Sequence, residues 1–191
     1  MRPMVLLDLN AVPTFKGLRP AMFFFRRFMS FLVFILLIAT FFAIPAALAT
    51  EGSGLPLPRF VSLRAGEVNL RTGPGVQYPV EWVYLRQKLP VEVIAEYLTW
   101  RKIRDWQGAQ GWVHQSMVGG LRTIIITGNT RTLRREAKVE SAPVALADVG
   151  VIGQILECPE DSGWCKVDIG GHKGWLRRVD FWGVHRDEKV E

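Results

Sequence analysis

The sequence predicts an all-β protein, two tandem small β-barrels behind an N-terminal signal or anchor helix. Three observations carry that expectation. After Phe60, short runs rich in β-branched and aromatic residues alternate with Gly, Pro, Asn and Asp, with turn signals about 8–12 residues apart, as in sandwiches and barrels. The same region repeats itself at an offset of 63–64 residues. Near the N-terminus, Phe28 to Ile44 forms an apolar run without a charged residue.

Arg26 and Arg27 stand directly before that run, and Pro45 and Ala47-Leu48-Ala49 follow it. A positive segment, an apolar segment and a small-residue cleavage site make a secretory signal, so residues 1–49 are expected to be removed after Ala49. Initiation at Met22 instead of Met1 gives a conventional 28-residue signal. The run is also about long enough to cross a bilayer, which takes roughly 17–25 residues, and an uncleaved anchor is the alternative. Both readings place residues 50–191 outside the cytoplasm, because Lys16, Arg19, Arg26 and Arg27 hold the N-terminus inside. The expected location is the periplasm or cell envelope, with membrane contact only through an uncleaved leader.

The chain carries 24 Lys/Arg and 18 Asp/Glu. Five of the basic residues and one acid, Asp8, lie in the leader, which leaves residues 50–191 at +2. That balance does not fit a nucleic-acid binder, which must neutralise several phosphates.

Residues 50–59 (TEGSGLPLPR) read as a Gly/Pro/Ser-rich linker. Strands are expected at Val80–Leu85, Pro90–Tyr97, Trp100–Arg104, Gly111–His114, Thr123–Thr127, Val151–Cys158 and Trp164–Ile169. The repeat has four anchors in one order. Asn69-Leu70-Arg71 matches Thr132-Leu133-Arg134, and Pro79-Val80 matches Pro143-Val144. Trp100-Arg101-Lys102-Ile103 matches Trp164-Cys165-Lys166-Val167, and Gln110-Gly111-Trp112-Val113 matches Lys173-Gly174-Trp175-Leu176. Each unit has about 60 residues, enough for a small barrel with a marginal core. The units are set at 60–122 and 123–185, and 186–191 is a charged tail expected to fray.

Cys158 and Cys165 are the two cysteines, and an even count in an oxidising compartment suggests a disulfide. If the hairpin turns about Asp161-Ser162, Cys158 lies opposite Cys165, within bonding reach.

The anchors resemble the bacterial SH3 domain family. In the first unit they are Asn69-Leu70-Arg71-Thr72-Gly73-Pro74-Gly75 with Tyr78, then Val91-Glu92-Val93, Trp100-Arg101-Lys102-Ile103 and Gly111-Trp112-Val113-His114. The second unit is a degenerate copy that keeps Leu133-Arg134, Gly163-Trp164-Cys165-Lys166-Val167 and Gly174-Trp175-Leu176. It has Arg135-Glu136-Ala137 in place of the Gly-Pro turn. The resemblance implies SH3-like barrels, export, no catalysis, and binding of peptide or glycan, often at the cell wall.

Binding candidates in the first unit are Asn69, Arg71, Tyr78, Trp82 and Trp106. Trp82 and Trp106 have no counterpart in the second unit, and Trp106 lies in a polar loop, which makes it a better binding candidate than a repeated tryptophan. Arg71, like its equivalent Arg134, suits a peptide carboxylate or a surface ion pair. Trp100, Trp112, Trp164 and Trp175 recur at equivalent positions and are expected to be structural, filling the small cores. Gly73-Pro74-Gly75 reads as a turn in which Gly supplies a positive φ.

His114, His172 and His185 are scattered, with no nucleophile pattern around them, and no active site is expected. No cofactor or metal is expected either, since a zinc site needs four ligands and only His172 stands near the cysteines. The reading is a non-catalytic binding module for cell-wall glycan or peptide. The alternative is a scaffold that binds another envelope protein.

Overall fold

The computed structural model describes residues 52–191; the leader expectation falls outside them. The described chain is all-β, with fourteen strands and no α-helix among the described residues. The first repeat holds β1 (Arg59–Leu63), β2 (Val68–Arg71), β3 (Val80–Tyr84), β4 (Pro90–Tyr97), β5 (Trp100–Arg104), β6 (Gln110–His114) and β7 (Val118–Gly119). The second holds β8 (Thr123–Ile126), β9 (Arg131–Arg134), β10 (Pro143–Ala147), β11 (Ile152–Glu157), β12 (Trp164–Ile169), β13 (His172–Arg177) and β14 (Phe181–Trp182). A 3₁₀ turn precedes the last strand of each repeat, at Gln115–Met117 and Arg178–Asp180.

Each repeat forms one seven-stranded antiparallel sheet, in the orders β3-β2-β6-β5-β4-β1-β7 and β10-β9-β13-β12-β11-β8-β14. The match of the two orders, strand for strand, is the structural form of the sequence repeat. The sheets are not closed into barrels, in contrast to the expectation. β7 is two residues long and pairs only with β1, so no ladder joins it to β3 at the other end of the order. The sheets nevertheless curl, because side chains from every strand of a repeat meet in one core. Leu63, Val68, Tyr84, Val91, Ile103 and Val113 share the first core, with Val118 packed against it. Ile126, Leu133, Ala147, Ile155, Val167, Leu176 and Phe181 share the second.

Two glycines let the sheet cross itself closely. A Cβ on Gly111 would lie 2.5 Å from Leu70 Cγ and 2.9 Å from the Arg71 carbonyl oxygen. At the equivalent Gly174 it would lie 2.6 Å from the Arg134 carbonyl oxygen. Here β2 meets β6, and β9 meets β13, at single residue pairs, Arg71 with Trp112 and Arg134 with Trp175.

The two repeats are packed together. Strand β8 (Thr-Ile-Ile-Ile) is buried at every residue, which period-2 alternation allows when both faces are covered. Ile124 and Ile126 enter the second core, while Ile125 enters the first. Arg86 of the first repeat donates to the Gly150 carbonyl of the second at 2.7 Å.

The disulfide forms between Cys158 and Cys165, with Cα atoms 4.3 Å apart. Glu157 faces Lys166, the register that a turn about Asp161-Ser162 requires, and both cysteines lie in the second core. The C-terminal residues correct another expectation. Rather than fraying, Val190 pairs with Cys158 through two backbone hydrogen bonds, of 2.7 and 3.0 Å, and buries its side chain. The Arg178 guanidinium holds the same region by donating to the carbonyls of Pro159, Ser162, His185 and Glu188. The linker is anchored too, since Ser53 donates its N–H and hydroxyl to the Glu96 carboxylate.

Candidate functional site

Four of the five binding candidates belong to one hairpin and its loop. Asn69 and Arg71 project from the outer face of β2, because Val68 and Leu70 alternate with them into the core. Trp82 stands on β3, the end strand of the sheet, 58% exposed, and Tyr78 precedes that strand at 40%. Val76, Val80, Val83 and Leu85 are exposed around them. Together they make an apolar edge on a strand with one unpaired side.

Arg71 has a local role. Its Nη1 donates to the carbonyls of Val76 and Tyr78 at 3.1 and 2.8 Å, which fastens the 72–79 loop to β2. Arg134 does the same in the second repeat, donating to the Ser141 carbonyl at 2.7 Å. The Gly-Pro-Gly turn also works differently from expectation. Neither Gly73 nor Gly75 has a positive φ. Glycine is required at 73 because the Tyr78 ring covers it, and a Cβ there would lie 2.4 Å from the ring.

Trp106 is not part of this hairpin. It lies on the β5–β6 turn, half-buried, and packs against the first core. Asp105 organises that turn by accepting from the N–H groups of Gln107 and Ala109 and from the buried Tyr84 hydroxyl. Burial, and then the neighbouring Asp105 carboxylate, push the Tyr84 phenol well above its ordinary range.

The repeated tryptophans are not where core filling would put them. Trp100, Trp112, Trp164 and Trp175 are half-buried on the outer faces of the sheets, each next to a buried residue that faces inward. Trp100 packs edge-on against His114 with centroids 5.6 Å apart. Trp112 stands between Arg71 and Lys102 in the strand register. The cores are filled mainly by aliphatic side chains instead, with Tyr84 in the first and Phe181 and the disulfide in the second.

A second feature was not anticipated from the sequence. The second repeat has a depression of about 190 Å³ lined by Arg131, Arg134, Arg177, Asp180, Val139 and Trp164, among others. Arg177 grips Asp180 with two 3.0 Å hydrogen bonds, and Arg131 lies 3.1 Å from the same carboxylate. The signal was present in the repeat alignment, where these positions differ from the first unit in charge.

No curated protein sequence matches the chain. Solved structures that are similar to it include NlpC2 and NlpC1 from Trichomonas vaginalis. NlpC2 is 11% identical, with a TM-score of 0.30 over 65% of this chain and 48% of its own. NlpC1 is 12% identical, with a TM-score of 0.31 over 71% of this chain and 49% of its own. The chain thus matches about half the length of each. The bacterial SH3 domain profile matches residues 64–120 and again 128–183, more than half of the chain and one match within each curled sheet. The chain belongs to the bacterial SH3 domain family, with two copies of the domain in tandem.

Proposed function

We propose that the chain is an exported, non-catalytic binding module that engages cell-wall peptidoglycan or peptide through the first SH3-like unit. The observation that carries this reading is the exposed aromatic edge at β3, where Trp82 and Tyr78 stand out to solvent. Exposed aromatic side chains backed by a stiff, hydrogen-bonded loop give contact area at low entropic cost. Family membership supports a binding role, and the +2 charge of residues 50–191 favours wall material over nucleic acid. The test is retention of the full chain on purified peptidoglycan. Wild type is expected to be retained and Trp82→Ala to be lost in the wash; equal retention of both would refute the edge as the site.

One observation favours a second reading, a scaffold for another envelope protein. β3 presents a free strand edge flanked by Val80, Val83 and Leu85, and such an edge accepts a strand from a partner. Cross-linking in cells that captures a protein at β3, with no retention on peptidoglycan, would favour it.

A further inference from the structure

We propose that the second repeat carries a separate site for a peptide carboxylate, formed by Arg131, Arg134 and Arg177 around Asp180, with Trp164 and Val139 as its apolar wall. The first argument is charge. Three guanidinium groups and one carboxylate line the depression, a local excess of two positive charges. Asp180 is almost fully buried and is shared between Arg177 and Arg131. Buried Nε of Arg131 has no hydrogen-bond partner among the described residues. Arg134 spends Nη1 on the Ser141 carbonyl, which fixes its position on the rim. Guanidinium forks are suited to carboxylates, which they bind in bidentate fashion.

The second argument comes from the repeat itself. The position of Arg131 is filled in the first unit by Val68, that of Arg177 by His114 and that of Asp180 by Met117, as the matching strands and 3₁₀ turns show. Val68 and Met117 pack with the first core. The same fold therefore forms without the ion cluster, and a buried ion cluster is often no more stabilising than apolar residues in its place. The partner position also changes. Val68 faces Tyr84, whereas Arg131 faces Ala147. A large ring opposite a small side chain has become a small residue opposite a long cationic one, which leaves room for the guanidinium. Folding did not demand these coordinated changes, and together they assemble a basic pocket with an indole beside it.

The ligand class follows from the lining. The depression, of about 190 Å³, is too small for a long chain, so it takes a single anionic end group. Trp164 and Val139 favour a carboxylate carried on an apolar or peptide body over a free inorganic anion.

The site is distinct from the aromatic edge of the first repeat, and its test does not use the cell wall. Isothermal titration of the purified full chain would use N-acetyl-Ala-Ala with a free carboxylate, the same peptide as its C-terminal amide, and inorganic phosphate. The free acid is expected to bind at least tenfold more tightly than either of the others. Arg131→Gln should weaken the acid at least tenfold, whereas Lys173→Gln, which removes an equal charge from an exposed position outside the depression, should not. Because Arg131 also pairs with buried Asp180, a second variant combines Arg131→Val, Arg177→His and Asp180→Met, the residues that the first repeat uses at these places. It should fold and lose the acid. Equal binding of acid and amide, tighter binding of phosphate, no binding of any probe, or full binding by the folded triple variant would each overturn the proposal.

Discussion

The ring of Phe60, near the start of the first repeat, meets the indole of Trp182, at the end of the second, edge to face with centroids 4.7 Å apart. His185 packs on the same ring at 4.7 Å, and the Arg122 guanidinium lies 6.0 Å from its centre. With Ile125 in the first core, this contact makes the two repeats one packing unit. Phe60→Ala is expected to cost about 3 kcal/mol. Urea unfolding of wild type should show a single transition reported alike by both repeats. Two separated transitions in wild type would show that the contact does not couple them.

The disulfide closes a short loop, seven residues apart in sequence. Replacing both cysteines by serine is expected to remove about 2 kcal/mol. Cys158 also pairs with Val190, so the loss should be local as well as global. Hydrogen exchange at the Val190 amide should accelerate more than exchange at buried β5 in the first repeat.

Glycine at 111 and 174 is a matter of space. Gly111→Ala and Gly174→Ala each force a Cβ into backbone or a core leucine, and each should cost about 2 kcal/mol. Gly163→Ala meets nothing within 4 Å and should change stability by less than about 0.5 kcal/mol. Thermal melting of the three variants tests the contrast.

The two tryptophans of the first repeat that have no counterpart in the second should part company. Trp106 packs against the first core, and Trp106→Ala should cost about 2 kcal/mol. Trp82 is 58% exposed, and Trp82→Ala should leave the melting temperature nearly unchanged. The reverse order would mean that the exposed edge is a packing surface.

Acid should act through Glu96. Burial alone would raise its pKa, but hydrogen bonds from Arg59 and from Ser53 outweigh that and hold it at about 2, below the ordinary 4.5. A depressed carboxylate contributes stability that is complete above the unfolded pKa and is lost as pH falls through the folded one. The contribution should be intact above about pH 4.5 and fade toward pH 2. Wild type should therefore lose more stability than Glu96→Gln between pH 6 and pH 2.5. Parallel losses would show that Glu96 is not responsible.

Much of the strand pattern was legible. Pro90–Tyr97, Trp100–Arg104 and Trp164–Ile169 read as strands from composition and match β4, β5 and β12. The repeat anchors located the two units, since Gly next to Trp marks the place where one strand crosses close over another. The cysteine pairing followed from hairpin register alone, because it depends on local spacing.

The sequence by itself determined an all-β chain, a tandem repeat, a disulfide and the family of the fold. All of these rest on local periodicity or on self-similarity. Only the tertiary structure decided which face each aromatic takes. Trp106 turned inward and the repeated tryptophans outward, because strand period assigns sides only relative to a core whose position one strand cannot reveal. It also decided that Arg71 serves its own loop, that residues near Val190 are held rather than loose, and that Arg131, Arg177 and Asp180 converge. Those contacts join residues up to about fifty positions apart, and their geometry comes from the curl of the sheet.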